Sequence, residues 1–108
     1  MNGKPVILRA RATRDIEEAM AFYLGEGAQK AALAFVMALE GAFRHLGRFP
    51  AAGSQRYAHE LNLPDLRCWP VVRYPYRVFF VDAETHVDVW RVLHEQRDIP
   101  GWLSEQHQ

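Results

Sequence analysis

The sequence contains little cysteine and no long hydrophobic run. Its one cysteine, Cys68, excludes an internal disulfide and argues against a thiolate metal site, which is typical of proteins from a reducing compartment. The longest apolar run, Ala31–Leu39, is too short to cross a bilayer, and the N-terminal residues lack the apolar core of a signal peptide. We therefore expect a cytoplasmic protein with no membrane partner.

The sequence also lacks an excess of charge of either sign. Thirteen Lys and Arg residues balance thirteen Asp and Glu residues. Nucleic-acid-binding domains are usually clearly basic, so direct nucleic-acid binding is not expected. The basic residues are nearly all arginine, with only Lys4 and Lys30 as lysines, which suits planar, bidentate contacts with proteins or phosphates.

The histidines show no metal-site spacing, and the chain has no glycine-rich phosphate loop after a strand. No metal or cofactor is therefore predicted. A chain of 108 residues corresponds to a single domain, here spanning residues 1–108.

The first half of the chain predicts one strand followed by two helices. Val6–Arg11 alternates apolar and polar residues as a strand does. Thr13 is placed to cap the next helix, with Asp15 in its first turn. Gly25-Glu26-Gly27 breaks that helix. A second helix is predicted over Ala28–Leu46, because its apolar residues recur at helical spacing.

The predicted second helix is apolar on two faces, which implies two neighbours, the first helix and the sheet. Its main apolar stripe includes three residues expected in the core: Phe35, Leu39 and Phe43. Its other apolar face carries Leu33, Val36 and Met37. Gly47 is expected to end the helix.

The second half of the chain predicts strands. Arg48–Ala58 is expected to be a loop, and Glu60–Leu63 and Arg67–Arg73 are expected to be extended. Tyr76–Val81 and Val87–Leu93 are rich in Val, Phe and Trp and are predicted to form a hairpin in the middle of the sheet. The predicted fold is α+β, in the order β-α-α-β-β-β, with a helical hairpin packed on a mostly antiparallel sheet.

Four short pieces of the chain carry a resemblance to a known superfamily. They are Phe49-Pro50-x-x-Gly53, Leu66-Arg67, Tyr76-Arg77-Val78-Phe79-Phe80 and Arg91-Val92-Leu93-His94-x-x-Arg97-Asp98. Their order and spacing resemble those of the ParE/RelE superfamily of bacterial toxins, and the last piece looks more like the ParE branch. The resemblance implies the toxin of a type II toxin–antitoxin system, of the kind linked to plasmid stabilisation.

The two branches imply different activities. A ParE-like toxin inhibits DNA gyrase by binding it, without catalysis, when it is not held by a ribbon-helix-helix, ParD-like antitoxin. A RelE-like toxin is a ribosome-dependent mRNA endoribonuclease, and a third alternative is a drifted member that only binds antitoxin. The segment Arg48–Arg73 has no lysine, whereas RelE-like nucleases tend to carry lysines there. The ParE-like alternative is therefore preferred.

Each branch also implies its own site residues. A RelE-like nuclease would use Arg67, Arg77, His94 and Glu60 as phosphate-binding and acid–base groups. A ParE-like toxin needs no catalytic residue, and its expected target-binding residues are Arg77, Arg91, His94, Arg97 and Trp102. Nearby carboxylates offer ordinary salt bridges to these arginines instead, and strand parity alone leaves open whether Arg77 and Arg91 share a face.

Overall fold

The structure is a computed structural model that describes residues 3–96, 99 and 101. The described part of the chain forms a four-stranded sheet and three helices. In chain order these are β1 (Val6–Leu8), α1 (Ala10–Gly25), α2 (Gln29–Arg48), α3 (Arg56–Leu61), β2 (Leu66–Pro70), β3 (Tyr76–Asp82) and β4 (Val87–His94).

The sheet is built around the predicted β3–β4 hairpin. The strand order is β1-β4-β3-β2, and β4 pairs with β3, and β3 with β2, in antiparallel fashion. β1 lies parallel to β4, with Val6 opposite Val87 and Leu8 opposite Val89. Parallel neighbours cannot be joined by a short hairpin loop, so a long stretch of chain that includes the helices connects β1 to β4. The α+β prediction is confirmed, and α3 is an addition to it.

Both faces of the sheet are covered. The α1–α2 hairpin covers one face, where Phe35 and Leu39 are buried with Val78, Phe80 and Val89, and Phe43 packs there half-buried. On the opposite face a second cluster surrounds α3; it contains Tyr57, Leu66, Cys68, Phe79, Trp90 and Leu93. The core placement of α2 is confirmed for Phe35 and Leu39.

β4 contains a bulge that changes which residues face the helices. Phe79 is opposite Arg91 and Phe80 is opposite Val89, so Trp90 is an extra residue without a partner on β3. A bulge of this kind shifts the alternation of side chains by one position. Val89 before it and Val92 after it therefore both lie in the cluster under the helical hairpin.

The start of α1 differs from the prediction. β1 ends at Leu8 and the helix begins at Ala10, because Arg9 O accepts the first helical hydrogen bond, from Thr13 N at 3.1 Å, while Arg9 N still donates to Val89 O of the sheet at 2.9 Å. The N-cap is Arg9, with no side-chain cap bond, so the predicted cap at Thr13 is wrong. Asp15 falls after the first turn and is buried.

α2 continues through Gly47 instead of ending before it. The chain needs a glycine here because the N-terminal segment crosses the helix closely, with Lys4 N donating to Gly47 O at 2.8 Å. A Cβ on Gly47 would lie only 2.9 Å from Lys4 O. The predicted role of Gly47 as a helix stop is therefore wrong.

The connection from α2 to β3 also differs from the prediction in two places. Residues predicted as loop and as the extended segment Glu60–Leu63 form α3, which ends at the left-handed residue Asn62. β2 ends at Pro70, not Arg73, because a turn in which Val71 N donates to Tyr76 O follows it. As Pro70 indicates, β2 is an edge strand.

Candidate functional site

His94 lies at the end of β4, on the wall of a cleft between α1 and the β3–β4 hairpin. Its ring contacts Tyr76 edge-on with centroids 5.1 Å apart, and its Nδ1 accepts a hydrogen bond from Gln96 N at 3.1 Å. The cleft has a volume of about 320 Å³. Its lining is largely apolar and aromatic, with Asp15, Glu18, Ala19, Phe22, Tyr23, Pro75, Tyr76, Val92, Leu93 and His94.

Arg91 is not on the surface. Its side chain is completely buried and forms a bidentate pair with Asp15 of α1, with both Nε–Oδ2 and Nη2–Oδ1 distances at 2.8 Å. Val92 N also donates to Asp15 Oδ2 at 3.0 Å. The expected target-binding role of Arg91 requires an accessible guanidinium, whereas this group is completely buried against Asp15 of α1. Arg91 instead joins helix to sheet.

Arg77 lies on the opposite side of the sheet from the cleft. It is opposite Leu93, and its Nη1 donates to Cys68 Sγ at 3.7 Å. Its Nε is 3.2 Å from Glu95, as expected for an ordinary salt bridge. Burial raises the pKa of the Cys68 thiol, although the adjacent Arg77 charge favours the thiolate. The thiol is therefore kept neutral within the core.

The four residues named for a nuclease are not brought together. Successive strand residues face opposite sides, so His94 lies on the hairpin side while Arg77 faces the α3 side. Arg67 pairs with Phe80 of β3, whereas His94 pairs with Tyr76 of the same strand. Phe80 and Tyr76 are four positions apart, which corresponds to roughly 13 Å along β3. Glu60 is exposed on α3.

Two of the expected target-binding residues come after the last strand and are not among the residues that the structure describes. Arg97 and Trp102, predicted to bind a target, lie beyond the described residues. Within residues 3–96, 99 and 101, no group of three potential metal-ligating side chains converges. Of the helices described, none is long and apolar enough to pass through a bilayer.

The structure leaves apolar side chains of the helical hairpin in solvent. We call Phe22 and Leu24 of α1 and Leu33 and Met37 of α2 the hairpin apolar surface; each is about half exposed or more, and Leu33 and Met37 reach 68%. The sequence predicted a second apolar face on α2 but expected a neighbour to cover it. That expectation is wrong for Leu33 and Met37, because α1 packs against another side of α2.

The fold is similar to those of several solved structures. One of the similar structures is titled "Chromosomal ParDE TA system from P. aeruginosa"; it is 16% identical, with a TM-score of 0.72 over 84% of this chain and 95% of that chain. At this identity the likeness establishes the fold. No curated protein matches the sequence.

The family follows from the sequence itself. The sequence model described as "ParE toxin of type II toxin-antitoxin system, parDE" matches residues 6–99, which is most of the chain. The chain belongs to this family, and it is the toxin of a type II toxin–antitoxin system, which implies an antitoxin partner. The resemblance drawn from the sequence is thereby confirmed.

Proposed function

We propose that the chain is a cytoplasmic toxin that inhibits DNA gyrase by binding, and that a ParD-like ribbon-helix-helix antitoxin suppresses it. The observation that carries the proposal is the match of the ParE family over residues 6–99. Two features of the structure support it: the hairpin apolar surface and the separation of the acid–base candidates.

The hairpin apolar surface suits an amphipathic segment of the antitoxin. Leu33 and Met37 are one helical turn apart and 68% exposed, so they form anchors on the outer side of α2. An amphipathic helix recognises such a stripe by its own apolar residues at i, i+3 and i+4. Fully burying a Leu or Met side chain stabilises a complex by about 1.5–3 kcal/mol before the costs of association.

Charge substitution tests this part of the proposal. Leu33→Glu is expected to weaken co-purification with the co-expressed product of the neighbouring gene, because it would place a carboxylate in an apolar interface. Val72→Glu is the matched control, since Val72 is 67% exposed on the turn after β2 and is not part of the hairpin apolar surface. Equal retention of antitoxin by both variants would contradict docking on α2, whereas failure of the parent chain to co-purify would undermine the antitoxin proposal itself.

Inhibition by binding is supported by the placement of the polar residues. A nuclease needs a base, an acid and phosphate-binding cations around one substrate. Arg77 and His94 lie on opposite faces of the sheet, and Arg67 is far from both along the strands. This separation favours contact with a target over cleavage of one.

A direct binding assay with purified gyrase tests the proposed target. The chain freed of antitoxin is expected to bind immobilised gyrase, and added antitoxin is expected to reduce that binding. Absence of binding, together with cleavage of mRNA in a translating extract, would replace the proposal with the nuclease alternative.

A further inference from the structure

Aromatic and cationic side chains converge where the end of α2 meets the edge strand β2. The imidazole of His45 stacks on the indole of Trp69, with centroids 4.4 Å apart and planes at 20°. The same imidazole contacts the ring of Phe49 at 5.1 Å. Arg67 shares the side of β2 with Trp69 and donates to Ala51 O at 2.9 Å. These contacts join the two elements into one continuous surface.

Two further arginines extend this surface along α2. The guanidinium of Arg48 lies 5.9 Å from the centre of the Phe49 ring. Arg44 precedes Arg48 by one helical turn, so both lie on the same side of α2. Together these residues define the cationic–aromatic surface: Arg44, His45, Arg48, Phe49, Arg67 and Trp69.

The arginines of this surface are not neutralised within the part of the chain that the structure describes. None of Arg44, Arg48 and Arg67 has a carboxylate within salt-bridge distance there, although Glu40 lies one turn before Arg44. By contrast, Lys4, Arg9, Arg77 and Arg91 are all paired. The chain is neutral overall, and Arg14, Lys30, Arg56 and Arg73 also lack a salt bridge among the described residues, but they belong to other parts of the fold, whereas Arg44, Arg48 and Arg67 flank the same aromatic rings.

Phe49 gives the surface a second property. Phe49 is 54% exposed, and the Arg48 guanidinium lies beside its ring. An exposed ring flanked by cations is the arrangement on which unpaired bases stack while their phosphates meet arginine. A purely acidic peptide would use the cations but not the ring, and a duplex would keep its bases stacked out of reach.

We propose that the cationic–aromatic surface binds single-stranded nucleic acid, with a base stacked on Phe49 and phosphates held by Arg44, Arg48 and Arg67. The expectation of no nucleic-acid partner rested on net charge, which does not describe where the charges lie. The proposal is independent of both the antitoxin and gyrase, and it concerns a surface distinct from the hairpin apolar surface.

Fluorescence anisotropy with the full chain tests the proposal. The probes are labelled thymidine and uridine oligomers of about 12 nucleotides, the length scale of single-strand sites. With three phosphate contacts, the slope of log K against log salt is expected to be about −2. Tighter binding of the thymidine oligomer would identify DNA as the ligand, and tighter binding of the uridine oligomer would identify RNA.

Matched variants separate the surface from non-specific attraction. Phe49→Ala is expected to weaken binding about tenfold, the usual scale for losing one stacked base. Phe22→Ala, which removes a ring 59% exposed on α1, is expected to leave binding unchanged. Arg48→Ala is expected to reduce the steepness of the salt slope by about 0.7, and Arg14→Ala, exposed on α1, is expected to leave it unchanged.

Three results would overturn the proposal. The first is equal loss of binding in Phe49→Ala and Phe22→Ala, which would remove the stacking role. The second is equal affinity for a duplex of the same length. The third is binding of a labelled poly-glutamate peptide without binding of either oligomer, which would assign the surface to an acidic protein segment.

Discussion

Replacing Asp15 with alanine is expected to destabilise the fold by about 3–5 kcal/mol, the cost of leaving one member of a buried ion pair without its partner. The side chains of Arg91 and Asp15 are 0% and 5% exposed, so water cannot replace the lost carboxylate. The substitution also removes the acceptor of Val92 N–H. For a domain of this size the whole stability is roughly 5–15 kcal/mol, so the loss is a large share of it.

Urea unfolding followed by circular dichroism measures this effect. The midpoint is expected to fall while the slope m stays constant, since the variant exposes the same surface on unfolding. Asp82→Asn is the control, because the Lys4–Asp82 pair is about one-third exposed and such pairs contribute at most about 1 kcal/mol.

A double variant tests whether the loss of stability comes from the Arg91 guanidinium left buried without its partner or from the lost attraction of the pair itself. Asp15→Leu with Arg91→Met replaces the pair by apolar groups and is expected to regain much of the lost stability. An Asp15→Ala variant as stable as Asp82→Asn would refute the account. It would show that the guanidinium reaches solvent or another partner when the carboxylate is removed.

Three further perturbations test the packing. Phe35→Ala is expected to cost about 3–5 kcal/mol, because the ring is fully buried, and a thermal melt like the parent's would contradict its placement. Gly47→Ala is expected to destabilise the fold by about 1–3 kcal/mol, because its Cβ would crowd Lys4 O. Gly41→Ala in the same helix is expected to stabilise it by about 0.5–1 kcal/mol. If both variants shifted the urea midpoint in the same direction, the close crossing at Gly47 would be contradicted. Burial raises the pKa of Cys68, so the thiol loses its proton at lower pH in the unfolded chain than in the folded one. The contribution of this group to the free energy of unfolding is therefore full below the ordinary pKa of 9.0 and falls as pH rises towards the folded-state pKa. Urea titrations from about pH 8 to 10 are expected to show a smaller decline for Cys68→Ala, and an equal decline would show that the thiol is accessible.

The sequence predicted the parts of the fold that depend on local patterns. The hairpin of β3 and β4 follows from two Val- and Phe-rich runs around a short polar break, and the main stripe of α2 follows from helical spacing. Pro70 correctly indicated an edge strand, because proline removes a donor from the ladder. These features need only neighbouring residues.

The features that the sequence did not predict depend on contacts between distant residues. Asp15 and Arg91 are 76 positions apart, and nothing local marks Asp15 as a buried partner. Parity along β4 could not reveal the extra residue Trp90, so the faces of Arg77 and Arg91 stayed undetermined. Gly47 resembles a helix stop in sequence, and only its contact with Lys4 explains it.

The candidate site was the least predictable part. The sequence marks the charged groups of the strand half as candidates, but two of them, Arg77 and Arg91, form ion pairs in the described structure. The apolar character of Leu33 and Met37 is plain from the sequence, yet their exposure depends on where α1 packs. Periodicity identifies an apolar face but does not say which neighbour, or which partner, covers it.

The most direct test of the account is the supercoiling activity of purified gyrase in the presence of the free toxin. The account predicts loss of supercoiling, with His94→Ala retaining most of the inhibition, because the effect depends on contact and not on an acid–base group. Unchanged supercoiling, together with mRNA cleavage that falls at least about 100-fold in His94→Ala, would contradict it.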